Sequence, residues 1–192
     1  MSPQESSIDL VAIIGAGFMG TGIAESVAAA GVHVIVRDVD EAALELARKR
    51  IDDSVQRAVQ RGKQSADDAA ALRERIELTT EWQTLREADL FIEAVPEVLE
   101  LKVDIMAQIE EIAGKDAVIA SNTSSIPIAQ LAAPISHRER VVGIHFFSPV
   151  PVMKLVEVVQ GLDTSQETMD VAKAFAERLG KRPIVTLSLI HI

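Results

Sequence analysis

Short apolar runs alternate along this chain with longer stretches in which apolar residues recur every three or four positions. The first run, Ile8 to Ile14, is nearly continuous, the pattern of a strand buried on both faces. After Gly15-Ala16-Gly17-Phe18-Met19-Gly20, the residues Ile23, Val27 and Ala30 keep helical spacing up to Gly31, a helix followed by its stop. Val32 to Val36 predicts a second strand that ends at Arg37-Asp38. Leu44, Ala47, Ile51, Val55 and Val59 form one stripe of a long amphipathic helix closed by Gly62. Ser65-Ala66-Asp67-Asp68 reads as a capping box for a short second helix, making the long helix one arm of a helical hairpin.

The alternation continues. Ile76 to Thr79 predicts a short strand, and Ala88 to Val95 a clear one stopped by Pro96. The next helix carries Leu101, Ile105, Ile109 and Ile112 inward and ends at Gly114. Ala117 to Ser121 is a strand opening into Asn122-Thr123-Ser124-Ser125, followed by a short helix near residues 126–132. Two strands then flank the turn-like Ser148-Pro149-Val150-Pro151, and a helix near 165–179 precedes a last strand near 183–187. Strands alternating with helices predict an α/β fold: an open, mostly parallel, doubly wound sheet of Rossmann type with a helical hairpin inserted.

The 192 residues, 48% of them hydrophobic, suit one domain, or one with a small appendage, behind a polar start over residues 1–7. No apolar run approaches the ~20 residues of a membrane span, and the N-terminus lacks a signal pattern. The formal charge of −10 argues against nucleic acid and acidic membranes as partners. These features together describe a soluble cytoplasmic protein. The absence of cysteine excludes thiolate catalysis and sulfur-ligated zinc, and the absence of tyrosine excludes a Tyr/Lys proton donor. His33, His137, His145 and His191 show no metal-site spacing, so proton chemistry falls to His, Asp, Glu or Lys.

Two places carry candidate chemistry. The run from Gly15 to Gly20 is a GxGxxG between a buried strand and a helix, with Asp38 at the end of strand two. Gly15 permits the tight turn, Gly17 lets backbone approach a pyrophosphate, and Gly20 allows close helix–strand packing. Amides at the helix start then hold phosphates. Asp38 is placed to accept from the adenine ribose hydroxyls, which favours NAD over NADP; the competing role is helix capping, and neighbouring Arg37 is a cation that could suit a 2′-phosphate. The second place is GIHFFSPVPVMKLVEVV, residues 143–159. His145 ends an apolar run, and Glu157 shares a strand face with Leu155 and Val159. A carboxylate buried there needs a partner, and the turn at 148–151 could bring it to His145. Either a structural ion pair or a proton-transfer pair meets that need. An imidazole suits the base in alcohol oxidation, with the carboxylate fixing its tautomer.

The chain resembles the L-3-hydroxyacyl-CoA dehydrogenase family, which includes bacterial 3-hydroxybutyryl-CoA dehydrogenases. The resemblance rests on VAIIGAGFMGTGIA, FIEAVPEVLELK, IASNTSSIPI and GIHFFSPVPVMKLVEVV, in family order over residues 8 to about 186. It implies NAD as cofactor, an acyl-CoA substrate and a homo-oligomer when full length. His145 and Glu157 fall on the family's catalytic pair, Ser124 on the serine that hydrogen-bonds the substrate oxygen, and Asn122 beside the nicotinamide. Ala94, Glu97 and Lys102 match cofactor-contacting residues, as do Gly15 to Gly20. Ser148 stands where several relatives carry asparagine at a cofactor contact. Ser125 is expected to be only a turn or cap ahead of Pro127. Family members continue, past a Pro-Gly-Phe segment, into an all-helical domain with a further active-site asparagine. Here Thr186 is followed by Leu187-Ser188-Leu189-Ile190-His191-Ile192, so residues 1–192 are expected to be the dinucleotide-binding domain, with 187–192 a tail foreign to the family, His191 without a role and the helical domain missing. Rival functions are a related dehydrogenase of a hydroxy acid or sugar acid without CoA, and a non-catalytic NAD-sensing module.

Overall fold

The structure, a computed structural model, describes residues 8–188. Strands β1 (Leu10–Ile14), β2 (His33–Arg37), β3 (Ile76–Thr79), β4 (Leu90–Glu93), β5 (Val118–Ser121), β6 (Val141–Phe146), β7 (Leu155–Gln160) and β8 (Arg182–Leu187) form one sheet in the order β3-β2-β1-β4-β5-β6-β7-β8. The first six strands run parallel; β7 is antiparallel to β6, and β8 is parallel to β7. The order reverses beside β1, whose neighbours are β2 and β4, and ligands of open α/β sheets bind at such a point.

Helices α1 (Phe18–Ala29), α2 (Glu41–Gln60), α3 (Ala66–Glu74), α4 (Leu99–Ile112), α5 (Ile128–Leu131) and α6 (Gln166–Arg178) cover the two faces. One core packs Val11, Ile13, Val34 and Val36 against α1, the α2/α3 hairpin and α6; the other packs Ala12, Ile14 and Phe91 against α4 and α5. Ser65 caps α3 by accepting from the Asp68 amide, as its sequence pattern predicts.

Several local expectations change. In α4 the inward stripe is Ile105, Met106 and Ile109, joined by Lys102 at 1% exposure; Leu101 turns outward instead. A lysine displaces a leucine here because its ammonium meets carboxylates inside, as described below. Ser125 does not cap α5, which starts at Pro127 without a side-chain cap; both its amide and its hydroxyl go to Glu97. Leu187 pairs with Gln160, and Ser188 bonds to Gln160 and the Ile128 amide, so the sheet runs into the start of the segment expected to be a tail. Residues 189–192, with His191, lie outside the described residues. A 3-10 turn at Trp82–Leu85, unannounced by periodicity, follows β3. The outer strand, β8, leaves Ile184, Val185 and Leu187 exposed.

Candidate active site

The loops after β1, β4 and β5 and the end of β6 all lie at the carboxyl ends of parallel strands. At the first, Gly15 adopts φ +106°, and a Cβ there would meet the Ala94 carbonyl at 2.7 Å. At Gly20 a Cβ would fall 1.8 Å from the Gly15 carbonyl oxygen, so the α1–loop contact admits only glycine. A Cβ on Gly17 would meet nothing within 4 Å; that side of the loop is open to a ligand. The start of α1 has no side-chain cap and no acidic residue in its first turn, leaving the first-turn amides and the positive end of the dipole for an anion. Asp38 Oδ2 accepts from the Ala16 amide at 2.6 Å, and Oδ1 accepts from Val39. The cap of α2 is Asp40, not Asp38. Asp38 therefore remains at the strand end, half-buried, beside the glycine loop. The residues fit the adenosine and pyrophosphate of a dinucleotide.

Behind the loop after β4 lies a chain of charges. Glu93 is fully buried: Oε1 accepts from the Val95 amide and from Lys102 Nζ, both at 2.7 Å, and Oε2 from Ser121 Oγ at 2.6 Å. The Lys102 ammonium also donates to the Val95 carbonyl and lies 3.3 Å from Glu97 Oε2. With three acceptors around it, Lys102 is enclosed and points into this network. Glu97 Oε1 in turn accepts from the Thr123 hydroxyl at 2.6 Å, the Ser124 amide at 2.9 Å and the Ser125 amide at 3.0 Å; the Ser124 hydroxyl lies 3.3 Å away. Glu97 thus gathers the post-β5 loop around one oxygen.

Burial opposes the Glu97 charge, but the Thr123 hydroxyl, Lys102 and the two loop amides outweigh it and hold the group at about 2. A carboxylate depressed in the fold stabilises it above the ordinary value of 4.5 and loses that contribution as pH falls from there toward 2. Discounted for its partial exposure, the contribution is about 1–2 kcal/mol. Glu97→Gln should cost that amount near neutral pH, and the gap to the native chain should narrow as pH falls below 4.5. Urea unfolding at a neutral and two acid pH values measures it; a gap independent of pH would remove Glu97 from this role.

The β6–β7 hairpin sets His145 directly opposite Glu157 in the register, with Nδ1 at 2.6 Å from Glu157 Oε2. The buried face of β7 is Val156 and Val158; Glu157 shares its half-open face with Leu155 and Val159, and the His145 side chain is 18% exposed. The pair is therefore in a half-open cleft wall, not in the core that an uninterrupted apolar run suggests. Since the carboxylate takes Nδ1, Nε2 is the ring nitrogen left for a substrate. Phe147 packs on the imidazole, with ring centroids 4.7 Å apart. Asn122 Oδ1 accepts from the Phe146 amide, tying the post-β5 loop to the strand that carries His145. Ser148 is exposed at the start of the turn, and Ala94 is half-buried under Gly15. His137, exposed beside Glu139, and His33, exposed at the start of β2, stand apart from this cleft.

Residues 10–188 match the family model described as the NAD binding domain of 3-hydroxyacyl-CoA dehydrogenase. The chain belongs to the 3-hydroxyacyl-CoA dehydrogenase family. Its cofactor is NAD. A probable 3-hydroxybutyryl-CoA dehydrogenase of Bacillus subtilis is 38% identical over 92% of this chain and 62% of its own length. The crystal structure of (S)-3-hydroxybutyryl-CoA dehydrogenase from Ralstonia eutropha superimposes with a TM-score of 0.93 and 42% identity, over 95% of this chain and 64% of that one. The Escherichia coli 3-hydroxybutyryl-CoA dehydrogenase gives 0.92 and 41%, over 95% of this chain and 39% of that one. This 3-hydroxyacyl-CoA dehydrogenase domain thus spans under two thirds of the length of these relatives.

Sequence reasoning missed four members of the site in this family domain. Glu93 carried a signal, a carboxylate ending the apolar run Leu90-Phe91-Ile92; Ser121 and Thr123 did not stand out from their polar surroundings. Lys181, in what looks like a solvated loop, is 9% exposed and donates to the carbonyls of Val150 and Met153, anchoring the turn between His145 and Glu157. Buried Glu25 faces it. Burial pushes the Lys181 ammonium below its usual range, against the pull of Glu25. Both residues line an open cavity of about 1190 Å³ beside that turn, together with Arg57, Arg61, Lys63 and Arg75.

Proposed function

We propose that this domain supplies the cofactor site and the proton-transfer pair of an enzyme that interconverts 3-hydroxyacyl-CoA and 3-ketoacyl-CoA, with 3-hydroxybutyryl-CoA as the substrate. The reading is carried by the 2.6 Å contact between His145 Nδ1 and Glu157 at the end of the sheet where the glycine loop lies. Bound NAD would supply the hydride acceptor for the alcohol carbon and, in its reduced form, the hydride donor for the keto carbon. His145 Nε2 accepts the hydroxyl proton as the C–O double bond forms, and Glu157 holds the tautomer and balances the imidazolium. In the reverse direction protonated His145 polarises the keto oxygen and donates its proton. Ser124 donates to the same oxygen, its 3.3 Å contact with Glu97 being long enough to exchange. Asn122, at the carboxyl end of β5, would help hold the nicotinamide. Ala94, Glu97 and Ser148 line the cofactor cleft, and enclosed Lys102 acts by holding Glu97. The cationic cavity suits the phosphates of coenzyme A.

The test is NADH oxidation with acetoacetyl-CoA against free acetoacetate, using this domain joined to the C-terminal region of a relative. Turnover should require the CoA thioester. Equal rates with free acetoacetate would favour a non-CoA hydroxy acid, and indifference to His145 replacement a non-catalytic NAD-binding module.

Asp38 accepts the ribose hydroxyls in this reading. Asp38→Ala should weaken NAD binding by about 1–3 kcal/mol, the scale of charge-assisted hydrogen bonds. Calorimetric titration measures it, and unchanged affinity would leave Asp38 with only the Ala16 amide.

A further inference from the structure

Arg37 stands where it could undo the preference for NAD. Its carbonyl accepts from the Gly15 amide at 2.9 Å, and the next residue is Asp38, so its backbone is part of the adenosine end of the site. A guanidinium at the end of β2 is the group that would neutralise a 2′-phosphate. Its side chain, however, is committed elsewhere. The guanidinium carbon lies 4.5 Å from the ring centroid of Trp82, and Nε donates to the Thr80 carbonyl at 3.2 Å. Trp82 is the only tryptophan, carried by the 3-10 turn after β3 and packed against the core under α4.

We propose that Trp82 is a specificity-determining residue: it holds the Arg37 guanidinium on its ring and away from the ribose, so Arg37 does not offset the Asp38 charge met by a 2′-substituent. A cation over an indole face is held by the ring quadrupole, against the rotamer freedom that a long side chain loses there. Here the Thr80 carbonyl takes a further donor. Discrimination against NADP then has two parts, repulsion by Asp38 and withdrawal of Arg37. The proposal rests on the reading of Asp38 as the ribose acceptor. Arg50 is the other cation at this loop, donating to the Ala16 carbonyl at 3.3 Å, and the experiment must separate it from Arg37.

The test uses the 192-residue chain and calorimetric titration with NADH and NADPH. Asp38→Asn serves as background, because asparagine keeps an oxygen for the Ala16 amide and removes the charge. A loss of NADH affinity in Asp38→Asn tests the ribose reading itself. In that background Trp82→Leu, which keeps an apolar side chain and removes the ring face, should tighten NADPH roughly tenfold, the scale of one charge-assisted hydrogen bond. NADH affinity should change less than about twofold on the same substitution. Adding Arg37→Gln should erase the gain. No gain, or a gain that survives Arg37→Gln and so belongs to Arg50, overturns the proposal. A second comparison does not depend on the fold tolerating Trp82→Leu. With Trp82 intact, Arg37→Gln in the Asp38→Asn background should leave NADPH affinity unchanged; a severalfold loss would show Arg37 already reaching the phosphate.

Discussion

Replacing His145 by glutamine should lower kcat by about 10²–10⁴, the range of general acid–base catalysis, while NADH binding stays within about twofold. The reason lies in the hairpin register. His145 and Glu157 face each other across β6 and β7, and one carboxylate oxygen sits 2.6 Å from Nδ1. Glu157→Gln should also be severe, because an amide can no longer balance the imidazolium that forms during alcohol oxidation. With both groups acting as one unit, the double variant should be little worse than His145→Gln alone. The measurement is steady-state and single-turnover NADH oxidation with acetoacetyl-CoA, on the domain joined to the C-terminal region of a relative. Strictly multiplicative losses would mean that the two residues act independently.

The second large effect concerns the 192-residue polypeptide by itself. It should bind NADH yet reduce acetoacetyl-CoA far more slowly than ~10 s⁻¹, the median of ordinary enzymes. In the proposed reading the phosphate and ribose contacts come from the ends of β1, β2 and β4, all of which this polypeptide carries, so binding is the expected result. The relatives in which the reaction is named are longer, and this chain covers 62% of the Bacillus protein and 64% of the Ralstonia protein. In the present structure the His145–Glu157 pair lies at a half-open wall, with side chains 18% and 30% exposed. Water there weakens the electrostatics at the reacting oxygen, and a substrate held from one side is poorly oriented. Orientation alone can account for ~7–11 kcal/mol of a barrier. Turnover at an ordinary rate by the purified polypeptide would show that one wall suffices.

Most of the fold was legible because both strand and helix periods are strong here. The nearly continuous apolar run at Ile8–Ile14 and the stripe Leu44–Ala47–Ile51–Val55 can satisfy only one arrangement each. Where the reading slipped, a tertiary partner overrode the pattern. Lys102 lies inside α4 because Glu93 and Glu97 wait for it, and a stripe of apolar residues contains no record of that. Asp38 and Asp40 are equally good caps on paper; the glycine loop claims the first and leaves the second to α2. Glu157 and His145 were conspicuous as charges in apolar runs. Lys181 was not, since Gly180-Lys181-Arg182-Pro183 resembles any solvated turn and its burial depends on the β6–β7 turn folding over it.

The hairpin has a consequence for how the site is assembled. His145 and Glu157 are 12 residues apart, whereas Ala16 and Asp38 are 22 apart, and Ser121 and Glu93 are 28 apart. Closing a short loop costs less chain entropy than closing a long one, and a local contact forms without waiting for distant strands to dock. The dinucleotide cradle is spread over several crossovers and can exist only when the sheet is complete. The imidazole–carboxylate contact is encoded in one contiguous segment, residues 141–160, and is set by the register of a single hairpin. The proposed proton-transfer pair is thereby written on a different length of the chain from the glycine loop, so substitutions at 145 and 157 can retune it and leave that loop's backbone geometry as it is.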